Sequence, residues 1–199
     1  MPTTEKLRKQ VIELREKGLS REDIAKELHL SEETVGWLLS KGEASDKPPA
    51  DIYIGWRSVG VYSSRITHLA RIFTDIILEE CEKSGQEVDA IMGIAINGIP
   101  LATSIANEMD LELILFRPKS ANMNEEIRGT TLSNFAGVKD KRIVVVDDVI
   151  SSGNTMKGAL EHIKANQGTP ALCLSIVNKQ QFNELEGVPI RALLRTHVV

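Results

Sequence analysis

The stretch Ile143-Val144-Val145-Val146 limits the fold more than any other part of the chain. Four β-branched residues stand in a row with no polar residue between them. A strand with one face in water alternates polar and apolar positions, whereas an unbroken apolar run needs cover on both faces. A parallel sheet between two layers of helix supplies that cover. The surrounding pattern agrees. From residue 63, "SSRITHLARIFTDIILEECEKSG" has the spacing of a long amphipathic helix, "VDAIMGIAI" that of a buried strand, and "NGIPLATSIANEMD" that of a loop leading into a helix. "LELILF" is a strand, residues 117–140 are polar and weakly periodic, and "RIVVVDD" is a strand again. "GNTMKGALEHIKANQG" then reads as a helix and "PALCLSIVN" as a strand. This alternation predicts an α/β fold, with a mostly parallel sheet and helices on both faces. Aromatic residues are 4% of the chain, so the core is mainly aliphatic.

The apolar run leads into Asp147 and Asp148, then into the small loop Ser151-Ser152-Gly153-Asn154-Thr155. Ligands of such sheets bind outside the carboxyl ends of the strands. The loop can turn backbone N–H groups toward one point. Gly153 permits close approach, and a helix begins there with its positive end. That is a phosphate cradle, and the hydroxyls of Ser151, Ser152 and Thr155 add donors. Two carboxylates beside a phosphate need partners of their own, which ribose hydroxyls or a Mg²⁺ ion can provide. The spacing therefore points to a phosphorylated sugar, phosphate on the helix and ribose on the acids. Paired acids and a hydroxyl before a helix also occur at ordinary capped helices. The second loop, Ala95-Ile96-Asn97-Gly98, is expected at a neighbouring strand end and favours the ligand reading. No Gly-Lys-Ser/Thr of a Walker loop is present, nor a Rossmann glycine fingerprint.

Four apolar positions, two acids, two apolar positions and Ser-Ser-Gly-x-Thr resemble the phosphoribosyl-pyrophosphate signature of type I phosphoribosyltransferases. All thirteen positions from Ile143 to Thr155 fit. "GIAINGIPLA", residues 93–102, resembles the pyrophosphate loop of the orotate branch. The resemblance covers roughly residues 60–195 and implies the type I phosphoribosyltransferase fold with a small hood. The tail "VPIRALLRTHVV" is then expected as a closing strand and part of that hood. By the same resemblance Asp147 and Asp148 bind the ribose hydroxyls, and residues 151–155 take the 5′-phosphate. Asn97 and Gly98 bring backbone N–H groups to the diphosphate, and Mg²⁺ arrives with the ligand.

One part departs from the family. Orotate phosphoribosyltransferases carry a loop of pattern Arg-Lys-x-x-Lys-x-His-Gly, whose cations offset charge on the leaving pyrophosphate. Here the corresponding stretch is "FRPKSANMNEE". Arg117 fits the first position and Pro118 replaces the first Lys. Ala121 stands at the catalytic lysine, Met123 at the histidine and Asn124 at the glycine. Arg117, Lys119 and Arg128 remain as candidate cations. Loss of such charges should remove several kcal/mol of transition-state stabilisation and leave the phosphate cradle intact.

Residues 1–42 have a different character. Leu7, Val11 and Leu14 lie at helical spacing and Gly18 stops the run. Ser20 with Asp23 forms an acidic capping-box variant, and Ser31 starts a third helix with Glu32 and Glu33 in its first turn. "REDIAKELHLSEETVGWLL" resembles a helix-turn-helix with Ile24, Ala25, Leu28, Leu30, Val35 and Leu38 as its small core. His29 stands where the turn usually has glycine. The reading helix would be Ser31–Lys41, with Ser31, Glu32, Glu33, Gly36 and Trp37 on its outer face and Ser31, Glu32, Glu33, Thr34, Trp37 and Lys41 as DNA-binding candidates. Residues 1–47 hold nine Lys/Arg and ten Asp/Glu, which is acidic for a DNA reader. A helical oligomerisation or docking module is the rival reading. Residues 43–62, with their prolines, read as linker and start of the hood, and 63–199 as the phosphoribosyltransferase-like domain.

Together the two parts resemble the archaeal orotate-phosphoribosyltransferase-like transcription regulators, a family governing sugar catabolism. The resemblance implies a cytoplasmic homodimer that binds operator DNA and responds to phosphoribosyl pyrophosphate, and it leans away from an enzyme. The alternative is an active orotate-type transferase with an N-terminal oligomerisation module. No apolar run approaches membrane-spanning length. Cys81, Cys173, His68, His162 and His197 lack metal-ligand spacing. Met92 is expected in the core, and Trp56 and Arg57 in packing.

Overall fold

The computed structural model describes residues 4–40, 49, 51–119 and 129–196. The chain divides into two compact units between Trp56 and Arg57.

The first unit holds helices α1 (Thr4–Glu16), α2 (Arg21–Leu28) and α3 (Glu32–Leu39). Its core is Val11, Ile24, Ala25, Leu30, Val35 and Leu38, with Leu7, Leu14, Leu28 and Trp37 packed at the margin. The caps form as their sequence predicts. Ser20 Oγ accepts the Asp23 N–H, and the Asp23 carboxylate accepts the Ser20 N–H. Such reciprocal bonds satisfy donors that a helix start leaves open. Ser31 Oγ accepts the Thr34 N–H in the same way. Between α2 and α3 the chain turns at His29, whose φ of 52° is left-handed. Beyond α3, Asp51 returns to the unit and its carboxylate accepts the Ser31 N–H at 2.6 Å.

The second unit contains α4 (Arg57–Gly60), α5 (Ser63–Ser84), β1 (Ala90–Ile94), α6 (Gly98–Met109), β2 (Glu112–Pro118), β3 (Gly129–Thr131), β4 (Arg142–Ile150), α7 (Asn154–Ala165), β5 (Thr169–Asn178), β6 (Glu184–Leu185) and β7 (Val188–Arg195). The strands run in the order β3-β2-β1-β4-β5-β7-β6. The five central strands are parallel, and the short edge strands β3 and β6 are antiparallel to their neighbours. Ile143, Val144, Val145 and Val146 are each fully buried, as an unbroken apolar run requires. The α7 face gathers Met92, Ile94, Ile143, Val145, Cys173, Met156 and Leu160 into one core. On the other face Gly93 lies under α6, where a Cβ would come within 2.8 Å of the Ala102 methyl.

Several expectations are revised. β4 does not end at the acids. It continues to Ile150, paired with β5 through Asn178. Within the stretch read as linker and start of the hood, residues 57–60 form the short helix α4. Residues 129–131, inside a region read as irregular, form the edge strand β3. The tail is a closing strand but not a hood element. β7 lies inside the main sheet, parallel to β5. Two parallel strands linked by only residues 179–187 violate the usual helical crossover. The β6 hairpin makes the return instead.

Candidate functional site

The register explains where the acids lie in the sheet. β1 pairs with β4 from Ala90–Ile143 to Gly93–Val146 and then stops. β5 continues beside β4, with Asp147 opposite Ser175 and Ile150 opposite Asn178. Asp147 and Asp148 thus sit past the end of β1 while still held by β5. Asp147 is half-buried and Asp148 is buried. Their carboxylates are fixed locally: Asp147 Oδ1 accepts the Asp148 N–H at 2.9 Å, and Asp148 Oδ1 accepts the Val149 N–H at 2.8 Å.

The second loop comes to the same place because of Gly98. A Cβ there would lie 2.5 Å from the Val146 carbonyl oxygen and 3.1 Å from Asp147 Cα. Only glycine lets the start of α6 press directly on the backbone that carries the acids. Ala95 donates its N–H to the Phe116 carbonyl, which ties the loop to β2. The Ala95–Ile96 peptide is cis. Ala95 and Asn97 are half-buried, and the Ile96 side chain is 81% exposed. The sequence reading assigned Gly98 to a diphosphate contact. Its packing against β4 was legible only with the neighbouring strand in place.

The cradle follows Ile150. Gly153 caps α7 with φ 86°, a conformation that favours glycine, and its carbonyl accepts the Lys157 N–H. Ser152 and Asn154 are exposed, Ser151 and Thr155 half-buried, and Ser152 Oγ accepts the Asn154 N–H. Serines 151 and 152, Gly153, Asn154 and Thr155 therefore lie together between the acids and the positive end of α7, where an anion is favoured. The loop is braced by a segment that sequence reasoning did not single out. Gln180 Nε2 donates to the Ser151 carbonyl. The fully buried Asn178 takes the Gln180 N–H and donates to the Phe182 carbonyl. Asn at the end of the apolar run "ALCLSIV" was the available signal.

Arg117 and Lys119 are exposed at the end of β2. Ala121, Met123, Asn124 and Arg128 fall outside the described residues. Among the described residues no three His, Cys, Asp or Glu side chains cluster to hold a metal. The donors on offer are the two carboxylates, which suit a Mg²⁺ ion already bound to a ligand's oxygens better than one held by protein alone. Cys173 is buried and its thiol is pushed up to about 12. A cleft of about 430 Å³ lined by Thr131, Val138, Lys139, His162, Asn166 and Gln167 lies by the end of α7 far from residues 151–155 and includes neither acid and no residue of the two loops.

In the first unit, Glu32 and Glu33 are exposed on α3, and Ser31 is half-buried as its cap. Thr34 does not face outward. It is 9% exposed, and its hydroxyl lies 2.8 Å from Ser31 Oγ. Trp37 is half-buried and packs on the core margin, so it is less outward than its spacing implied. An indole beside Val35 and Leu38 gains more from burial than from solvent. Lys41 lies outside the described residues. Gly36, expected on the open face, is covered by Arg21. No described helix is long and apolar enough to cross a membrane.

Comparison with known proteins agrees with this geometry. Residues 63–181 match the family model described as the phosphoribosyl transferase domain. The chain is 48% identical over 199 residues to the transcriptional regulator GfcR of Thermoplasma acidophilum, covering 100% of this chain and 98% of that protein. It is 45% identical over 199 residues to GfcR of Picrophilus torridus, covering 100% of both. Among solved structures, orotate phosphoribosyltransferase from Aeropyrum pernix aligns with TM-score 0.56 at 23% identity, over 76% of this chain and 82% of that one. Adenine phosphoribosyltransferase from Trypanosoma brucei aligns with TM-score 0.57 at 19% identity, over 76% and 72%. The structures share the fold, and the regulators share the whole length, N-terminal helices included: the chain belongs to the archaeal GfcR transcriptional regulators, built on a phosphoribosyl transferase domain.

Proposed function

We propose that this regulator binds operator DNA through α2 and α3 as a helix-turn-helix, and that its transferase-like unit senses phosphoribosyl pyrophosphate or a closely related phosphorylated ribose. The carrying observation is that the second loop presses on the β4 backbone beside the acids and the 151–155 loop follows that same strand, in a chain whose first three helices have a core of their own. Asp147 and Asp148 hold the ribose hydroxyls. Residues 151–155 hold the 5′-phosphate at the start of α7, and the backbone of Ala95–Gly98 approaches the diphosphate. Mg²⁺ enters with that diphosphate and neutralises part of its charge. Two copies act together as a cytoplasmic homodimer, which doubles the contacts made to DNA. Ligand matters only through a preference for one conformation, because equal affinity for two states shifts neither. Sugar metabolism is the process such a sensor would serve.

The experiment is calorimetric titration with phosphoribosyl pyrophosphate and Mg²⁺. Saturable, Mg²⁺-dependent binding is expected in the unaltered chain and absent in the Asp147→Asn/Asp148→Asn variant. Asn keeps the size of each acid and an Oδ1 that can accept the next backbone N–H, so the fold is expected to be retained, which an unchanged melting temperature checks. Unchanged affinity in the double variant contradicts the site assignment.

A further inference from the structure

The helix proposed to read DNA has the wrong charge for that work. Helix α3, Glu32–Leu39, carries two acids and no base. Thr34, Val35 and Leu38 point into the core, so the opposite face is centred on Glu33, Gly36 and Ser40. At its middle stands a residue with no side chain. That gap is filled from α2. The Arg21 guanidinium lies against Gly36 so closely that a Cβ would stand 2.5 Å from Cζ and Nη2 and 2.9 Å from Nη1. Arg21 Nε donates to the Glu32 carbonyl oxygen at 2.5 Å. The side chain is exposed, and its terminal nitrogens have no hydrogen-bond partner among the described residues.

From this we infer that Arg21, and not a side chain of α3 itself, is the base-reading cation of the three-helix unit, and that Gly36 is glycine to let the guanidinium lie across the reading face. The inference rests on the DNA-binding reading above. Pinning Nε leaves Nη1 and Nη2 as a fixed two-donor fork. A planar fork held in advance loses less freedom on binding than a free lysine would. Guanine presents two acceptors, O6 and N7, to such a fork in the major groove. The chemistry therefore assigns a guanine opposite Gly36. The positive charge also offsets Glu32 and Glu33, which otherwise face the phosphates.

The test uses the full chain and a duplex selected from a random 30-base-pair library. Affinities are then measured for that duplex and for each single-base variant of it. Arg21→Ala should lose roughly 10- to 100-fold of discrimination at one guanine and keep its melting temperature. Gly36→Ala should do the same, because the methyl displaces the guanidinium while alanine favours the helix. Combining the two should be no worse than Arg21→Ala alone. If Arg21→Ala weakens selected and scrambled duplexes equally and lowers the salt slope by about one, Arg21 touches phosphate and the inference is overturned. A lower melting temperature with discrimination intact makes Arg21 a brace between α2 and α3, which also overturns it. If the unaltered chain enriches no sequence, the DNA-binding reading itself has failed.

Discussion

At the scale of single residues, the site depends on what is missing at position 98. Gly98→Ala places a methyl against two backbone groups of β4, which cannot move aside as a side chain would. Overpacking of this kind typically destabilises by about 1–3 kcal/mol. We expect that loss in denaturant unfolding, together with loss of phosphoribosyl-pyrophosphate binding in calorimetry. Normal stability with normal affinity would show that the second loop is not held by this contact. The residues named from sequence fared unevenly for physical reasons. The place of Asp147 and Asp148, past the end of β1 and still paired with β5, was legible because the buried apolar run before them fixes the strand that carries them. Thr34 and Trp37 were misplaced because an eight-residue helix offers little periodicity, and a large ring at the core margin turns inward. The cover of Gly36 by Arg21 was not legible in sequence, since that contact spans two helices.

At the scale of elements, α7 links the cradle to the packing of the sheet. His162 near its end packs against Phe116 in a tilted arrangement, with ring centroids 5.4 Å apart and planes at 51°. Burial holds its pKa below the ordinary histidine value. The neutral ring is thus the form that the folded state accepts. As pH falls below about 6.5 the unfolded chain takes up the proton more readily, so stability declines. Above that value this contribution is constant. Thermal unfolding from pH 8 to 5 should show the decline, and His162→Gln should flatten it relative to the parent. An identical pH profile in both would remove His162 as its cause. Strands β1, β2, β4 and β5 were readable from apolar runs, and the helix starts from Ser20 and Ser31. The place of β7 was not. Its alternation indicates a strand, but joining β5 in parallel through a short hairpin depends on tertiary pairing that no local pattern encodes.

At the scale of the whole molecule, two units of different character share one chain. The division was visible in sequence as a change from short capped helices to alternating strands and helices. The boundary was less so, because Asp51 is drawn back to the start of α3 by a hydrogen bond rather than by composition. Under the proposed function the transferase-like unit keeps the ribose-phosphate part of the site, whereas Ala121 and Met123 stand where the family resemblance places loop cations. Orotidine monophosphate formation should therefore be absent or far below a working enzyme. Turnover in the ordinary range of about 1–1000 per second would instead favour an active transferase.

The central claim is that ligand occupancy in one unit alters DNA binding by the other. It is tested most directly by measuring affinity of the full chain for its selected duplex, with and without saturating phosphoribosyl pyrophosphate and Mg²⁺. The account predicts a change of about 5- to 150-fold in either direction, the usual range of coupling between sites, and no change in the Asp147→Asn/Asp148→Asn variant. Equal affinity with and without a ligand that calorimetry shows to be bound would contradict it.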